Sequence, residues 1–483
     1  MQAVLGDRAD LAQQAGWVAP QRAAARQWLG LALCVLVAAG LCALAVVIGR
    51  MPPFDRFVTD PLFFRRCLVA HVNFALIAWF YSFTSALVLL LPSERPAAWT
   101  ARISPLAGAA GVLLMMVGAF APGAEPILSN YIPTIDHPVF QAGQLAFGIS
   151  VLLAVLDPRL LAATSRIEPL LPPAAAAGVR AGAAGLVLAA ITFTISWLHQ
   201  TPGLESGVHY ELLFWGVGHV LQLVIVLVML SVWIALLTPL LGEPPLSAAS
   251  ARALFTLMLV PWLFSPLLAL EGTSSAAYRS GHTELMQWGI FPFVGIFLVL
   301  LVRALVRARR EGRLVGTWKR DPAFAAFVTS AGLTVAGFVL GAMIRGSTTM
   351  VPAHYHASVG AVTVAFMAAT PALLGVFGAQ LESTRSRRLA GLQPILYGAG
   401  MACFAAGFAL AGAHGMGRKA YGAEQATRSV AESAGLTIMG IGGFVAVAGG
   451  ILFLGLAIAA WRNTSSDTRR ARGPLAVQGE MLR

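Results

Sequence analysis

The stretch Arg345-Gly-Ser-Thr-Thr-Met-Val-Pro-Ala-His-Tyr-His-Ala-Ser-Val-Gly360 sets two histidines, His354 and His356, two residues apart at the head of a long apolar run. On an α-helix, positions i and i+2 are separated by about 200°, so the two imidazoles leave on opposite sides. They cannot share one mononuclear site, but each can ligate a different cofactor on its own side. Imidazole is a common haem ligand, and a helix lying between two haems needs this spacing. The competing reading is a pair of polar residues at a membrane interface. The other histidines of the chain decide between the two.

Composition sets the class. The 483 residues are 58% hydrophobic and only 11% charged, which describes a polytopic membrane protein in a lipid bilayer and excludes a soluble enzyme. The net charge of +12 does not imply nucleic acid, because the basic residues sit mainly in loops and tails and track topology instead. Four cysteines (Cys34, Cys42, Cys67, Cys403) are scattered through apolar segments without CxxC or CxxCH spacing. Neither a c-type haem nor a thiolate metal site is encoded. The chain is polar as far as Gln27, and the apolar run that follows is too long for a signal peptide, so the first helix is expected to stay uncleaved.

Apolar runs predict an all-α bundle of about twelve spanning helices, near 28–49, 67–91, 103–121, 140–156, 178–198, 210–236, 251–270, 284–303, 323–343, 354–378, 393–413 and 436–461. A tail (1–27), a membrane domain (28–461) and a second tail (462–483) follow from this. Arginine and lysine are dense in both tails and in the loops after helices 8 and 10, whereas 122–139 and 200–209 hold none. Both termini are therefore expected in the cytoplasm, with the chain in a bacterial inner membrane. The loop after helix 1, with Arg50, Arg56, Arg65 and Arg66, is the exception.

Under this topology every even-numbered helix enters from the outer face. His71 on helix 2, His219 on helix 6, His282 at the head of helix 8, and His354 and His356 on helix 10 then reach a similar depth. Intramembrane ionisable groups are costly and usually functional, so five imidazoles at one level point to a haem or metal constellation. His71 and His356 can supply the two axial ligands of a low-spin haem. His354 is left for a second haem with one open position, which His219 could approach. Arg418 and Lys419, in Gly415-Met-Gly-Arg-Lys419, offer cations for haem propionates.

These motifs make the chain resemble subunit I of the haem-copper oxidase superfamily, which includes nitric oxide reductases. Thr349-Met-Val-Pro-Ala-His-Tyr-His356 is similar to the family's helix 10 pattern, and Trp215-Gly-Val-Gly-His219 to its helix 6 motif, whose histidine binds copper. Val69-Ala-His-Val-Asn73 stands where the family has its helix 2 haem ligand. Gly415-Met-Gly-Arg-Lys419 is similar to the Gly-Met-Pro-Arg-Arg between helices 11 and 12. The resemblance implies two haems, electrons passing from a low-spin to a high-spin haem that binds or reduces O2 or NO, and an electron-donor cytochrome or additional small subunits as partners.

The pattern also breaks. The family's helix 7 carries a His-His pair that completes the copper site, whereas here that helix ends Leu263-Phe-Ser-Pro-Leu-Leu-Ala-Leu270. His282 arrives later in the chain, and Leu223 stands where the oxygen-reducing A family has a tyrosine. An ordinary copper site, built on His219 with His282, is thus not expected. Helix 8 lacks the lysine of the family's inner proton path, and the inner helix halves hold few carboxylates. The alternatives are a di-haem electron conduit or gas sensor that has lost copper, and a twelve-helix transporter with incidental histidines.

Overall fold

The computed structural model describes residues 19–92, 98–157, 170–314, 321–379, 381, 383–418 and 429–470. Twelve helices among them are long and apolar enough to cross a membrane. They are α1 (Pro20–Ile48), α2 (Pro61–Leu89), α3 (Trp99–Ala119), α4 (Pro138–Val155), α5 (Pro173–Leu198), α6 (Ser206–Leu241), α7 (Ala248–Leu270), α8 (Ala276–Arg310), α9 (Pro322–Ala342), α10 (Met350–Val376), α11 (Thr384–Ala413) and α12 (Val430–Arg462). The expected all-α membrane bundle is the observed one. Its most enclosed members are α2, α6 and α10, which carry four of the five histidines.

Several helices start earlier than their apolar runs. The reason is local: α2, α4, α5 and α9 open on proline at the first helical position, where no amide donor is needed. Asp60 and Asp321 cap two of them, accepting from the amides of Leu62 (2.9 Å) and Ala323 (2.7 Å). Polar first turns such as Ala276-Ala-Tyr-Arg-Ser-Gly-His282 are helical although they dilute hydropathy, so His282 lies inside α8 rather than at its head. Close packing is set by small residues. At Gly407 on α11, an added Cβ would collide with the backbone of Met439 on α12.

Two irregular features position the site. The first is a single π-helical turn, Asn73–Ala78, inside α2. In an unbroken α-helix, Trp79 would point about 80° away from His71, whereas one inserted residue brings the two within about 20°. The same shift aligns Phe83. The second is a hairpin between α3 and α4. Strands β1 (Glu125–Ile127) and β2 (Thr134–Asp136) pair antiparallel, with Glu125 opposite Asp136, and present the loop 128–133. Asn73 ties that loop down by donating to the carbonyl of Pro133 at 2.7 Å. Gln144 donates to the Asn73 side chain at 2.8 Å, and Arg66 donates to the carbonyl of Ala124.

Candidate functional site

Hydrogen bonds sort the five histidines into two kinds. In all five, Nδ1 faces a backbone carbonyl: Ala39 for His71 (3.0 Å), Trp215 for His219 (2.6 Å), Tyr278 for His282 (2.7 Å), Gly337 for His354 (2.7 Å) and Pro352 for His356 (2.7 Å). A carbonyl only accepts, so Nδ1 carries the proton and the lone pair lies on Nε2. What meets Nε2 differs. No hydrogen bond to Nε2 of His71, His354 or His356 is formed among the described residues, and all three rings keep partial exposure. His219 and His282 are 0% exposed. There the Tyr131 hydroxyl donates to Nε2 of His219 at 2.8 Å, and the Ser265 hydroxyl to Nε2 of His282 at 2.9 Å.

His71 and His356 stand at one depth on neighbouring helices. Trp79, Phe80 and Phe83 of α2 surround Phe366 of α10, with Phe83 stacked on it at 4.2 Å and Phe80 edge-on at 5.5 Å. From Phe80 back to His71 is about 13 Å of helix, and from Phe366 back to His356 about 15 Å. The two helices run in the same direction, so the rings end level. His71 lies within electrostatic reach of His356. Phe404 and Phe408 of α11 flank the His356 ring at 4.6 and 5.8 Å.

Cations lie beside this pair. Arg50, 5% exposed in the loop after α1, sits over Phe64 and Phe408, both at 5.7 Å, and donates to the carbonyl of Arg418 at 3.1 Å. The Arg418 segment is fixed by backbone bonds to the start of α10, Arg418 to Ser347 (3.2 Å) and Thr349 to Met416 (2.8 Å). Nε of Arg418 is buried and has no hydrogen-bond partner among the described residues. Both guanidinium groups act electrostatically on Tyr355, the residue between His354 and His356. Lys419 lies outside the described residues.

His354 turns the other way, onto α9. Its ring packs over Gly341, where an added Cβ would stand 2.8 Å from Nδ1. Residues two apart on α10 therefore serve opposite sides, as their spacing requires.

The third group is centred on His219. Tyr131 packs against its ring at 4.4 Å, Trp215 at 4.8 Å and His282 at 5.9 Å. Ser265, on the end of α7 that carries no histidine, bonds to His282 and to Thr192. Tyr278 adds a neighbouring polar knot, donating to the carbonyl of Leu212 and accepting from the amide of Gly216. Burial, with Glu211 nearby, pushes the Tyr131 phenol well above the usual tyrosine range, so it remains a neutral donor.

The family model described as cytochrome c and quinol oxidase polypeptide I matches residues 23–446. The chain belongs to that family. The fold comparison agrees: a haem-copper terminal oxidase, solved as a dimer by cryo-EM, superposes with a TM-score of 0.70 at 16% identity, over 92% of this chain and 84% of that one. Among curated relatives, an uncharacterised protein of Aquifex aeolicus is 27% identical over 71% of this chain and 82% of its own length. An uncharacterised protein of Rickettsia prowazekii is 23% identical over 89% of this chain and 94% of its own.

Against this oxidase subunit I family, the donor set fits haem and does not fit copper. Three imidazoles keep an accessible Nε2 lone pair with Nδ1 anchored, the arrangement an iron ligand needs. An orphaned buried Arg418 Nε suits a carboxylate such as a propionate. At His219 and His282 both lone pairs are engaged by hydroxyl donors, and no third His, Cys, Asp or Glu joins them among the described residues. His219, expected to approach the open face of the second haem, instead has its Nε2 engaged by Tyr131 in this structure. Sequence reasoning missed Arg50, which it counted only as a topological exception, and Tyr131, whose one signal was an aromatic in a loop without lysine or arginine.

Proposed function

We propose that this oxidase subunit I-like protein binds two haems and passes electrons between them within the membrane. His71 and His356 hold a low-spin haem, and His354 holds a second whose other axial side is left for a small gas, O2 or NO. The haems supply reversible one-electron iron chemistry and, at the second, gas binding. The chain supplies the rest. It fixes three imidazole tautomers by carbonyl acceptors, aligns His71 with α10 through the π-turn, and sets Arg50 and Arg418, with Lys419 as a further candidate, against the carboxylates. The single observation that supports this is the free Nε2 on His71, His354 and His356 against the engaged Nε2 on His219 and His282.

The arginine distribution supports both tails lying in the cytoplasm, which puts the histidine end of the bundle on the outer side, and the bacterial relatives support an inner-membrane setting. An electron-donor cytochrome or small subunits would dock there. Haem stoichiometry and a reduced-minus-oxidised spectrum of the purified chain test the reading. Two haems per chain, one low-spin, are expected, and a spectrum without haem bands would leave the transporter. Consumption of O2 or NO by the reduced protein then separates catalysis from a conduit or sensor.

A further inference from the structure

Tyr131 is the best-secured residue that the haem reading does not use. Its φ of 64° makes it the one non-glycine residue with a left-handed backbone among the described residues, a conformation side chains adopt only when their surroundings enforce it. The enforcement is visible. Asn130, immediately before it, gives both its backbone amide (2.7 Å) and its side-chain amide to the Glu211 carboxylate on α6. The hairpin legs are tied to α2 and α4 by Arg66, Asn73 and Gln144. On the α6 side the ring lies against Gly218, where an added Cβ would overlap the tyrosine's own Cβ. Trp215 closes the edge at 5.6 Å.

The destination of this construction is one atom. With Nδ1–H committed to the carbonyl of Trp215, His219 has a single lone pair, on Nε2, and the Tyr131 hydroxyl donates into it. A metal ion on His219 needs that same lone pair and the space the phenol ring fills. His282, the nearest other imidazole, is closed in the same manner by Ser265.

We propose that Tyr131 is this chain's built-in substitute for a metal ion at His219, its hydroxyl taking the imidazole lone pair and its ring the adjoining volume, so that copper is rejected there. The exclusion is independent of what the haems do, and the two fail separately: haem is read by its spectrum, copper by metal analysis.

The test uses the purified full chain, titrated anaerobically with Cu(I) against a competing chromogenic chelator, with retained metal counted by mass spectrometry. Wild type is expected to retain only trace copper. Tyr131→Ala combined with Ser265→Ala, which frees the Nε2 lone pairs of His219 and His282 together with the phenol's volume and so offers Cu(I) two imidazoles, is expected to retain one Cu(I) per chain and to lose it again when His219→Ala is added. Stoichiometric copper in wild type, abolished by His219→Ala, would overturn the proposal. So would a doubly substituted protein with an unchanged haem spectrum that still takes up none, or uptake by Ser265→Ala alone. Should the double variant fail to accumulate, the wild-type, Ser265→Ala and His219→Ala titrations decide the matter on their own.

Discussion

A neutral imidazole has one lone pair, and in this protein the fate of that lone pair distinguishes five residues of the same type. His356→Ala is expected to remove one of two haems and with it the low-spin signal, and His71→Ala to do the same. His354→Ala should remove only the other. His219→Ala should leave both haem bands in place, as a pyridine haemochrome assay and low-temperature EPR can show. Tyr131→Phe leaves a buried acceptor unmet, so unfolding should become easier by about 1–3 kcal/mol without loss of haem. The three candidate haem ligands were legible in the sequence because their helical spacing and depth follow from counting. Whether Nε2 of His219 is open was not legible. It depends on where a loop some ninety residues upstream in the chain lays its tyrosine, and no periodicity records that.

At the scale of the element, α2 shows how one extra residue does work that composition cannot. Apolarity over 67–91 marks a helix, but it does not reveal that Asn73–Ala78 is wound one residue looser than its neighbours. Inserting an alanine after Ala75 lengthens the segment by one more residue and should swing Trp79 and Phe83 about 100° out of line with His71. The expected result is a chain that still inserts yet loses its low-spin haem, read from the same spectra. Retention of that band would show the alignment to be incidental. Helix starts were misjudged for a related reason. Hydropathy fades in the first turn, where caps, proline and arginine cluster, so α8 begins at Ala276 and encloses His282 where the apolar run had left it at an edge.

For the whole molecule, twelve spans and their order were readable because each backbone segment in lipid must satisfy its own hydrogen bonds, which leaves long apolar helices as the available solution. The loops decide what the bundle does at one end. Burial raises the Tyr131 phenol above its ordinary value, so its contribution to stability is complete below the usual tyrosine range near pH 10 and is lost as pH climbs from there toward the raised value. Thermal unfolding in detergent should therefore be insensitive to this group up to about pH 10, and the decline above it should be shallower in Tyr131→Phe. Finally, His356 is moored to a carbonyl of its own helix, whereas His354 is moored across a helix boundary, to Gly337 of α9. Any sideways slip of α9 against α10 would tug on one imidazole and spare the other. If His354 holds an iron as proposed, a subunit or lipid pressing on α9 would retune that iron alone, and the iron–histidine stretch in resonance Raman spectra would register it.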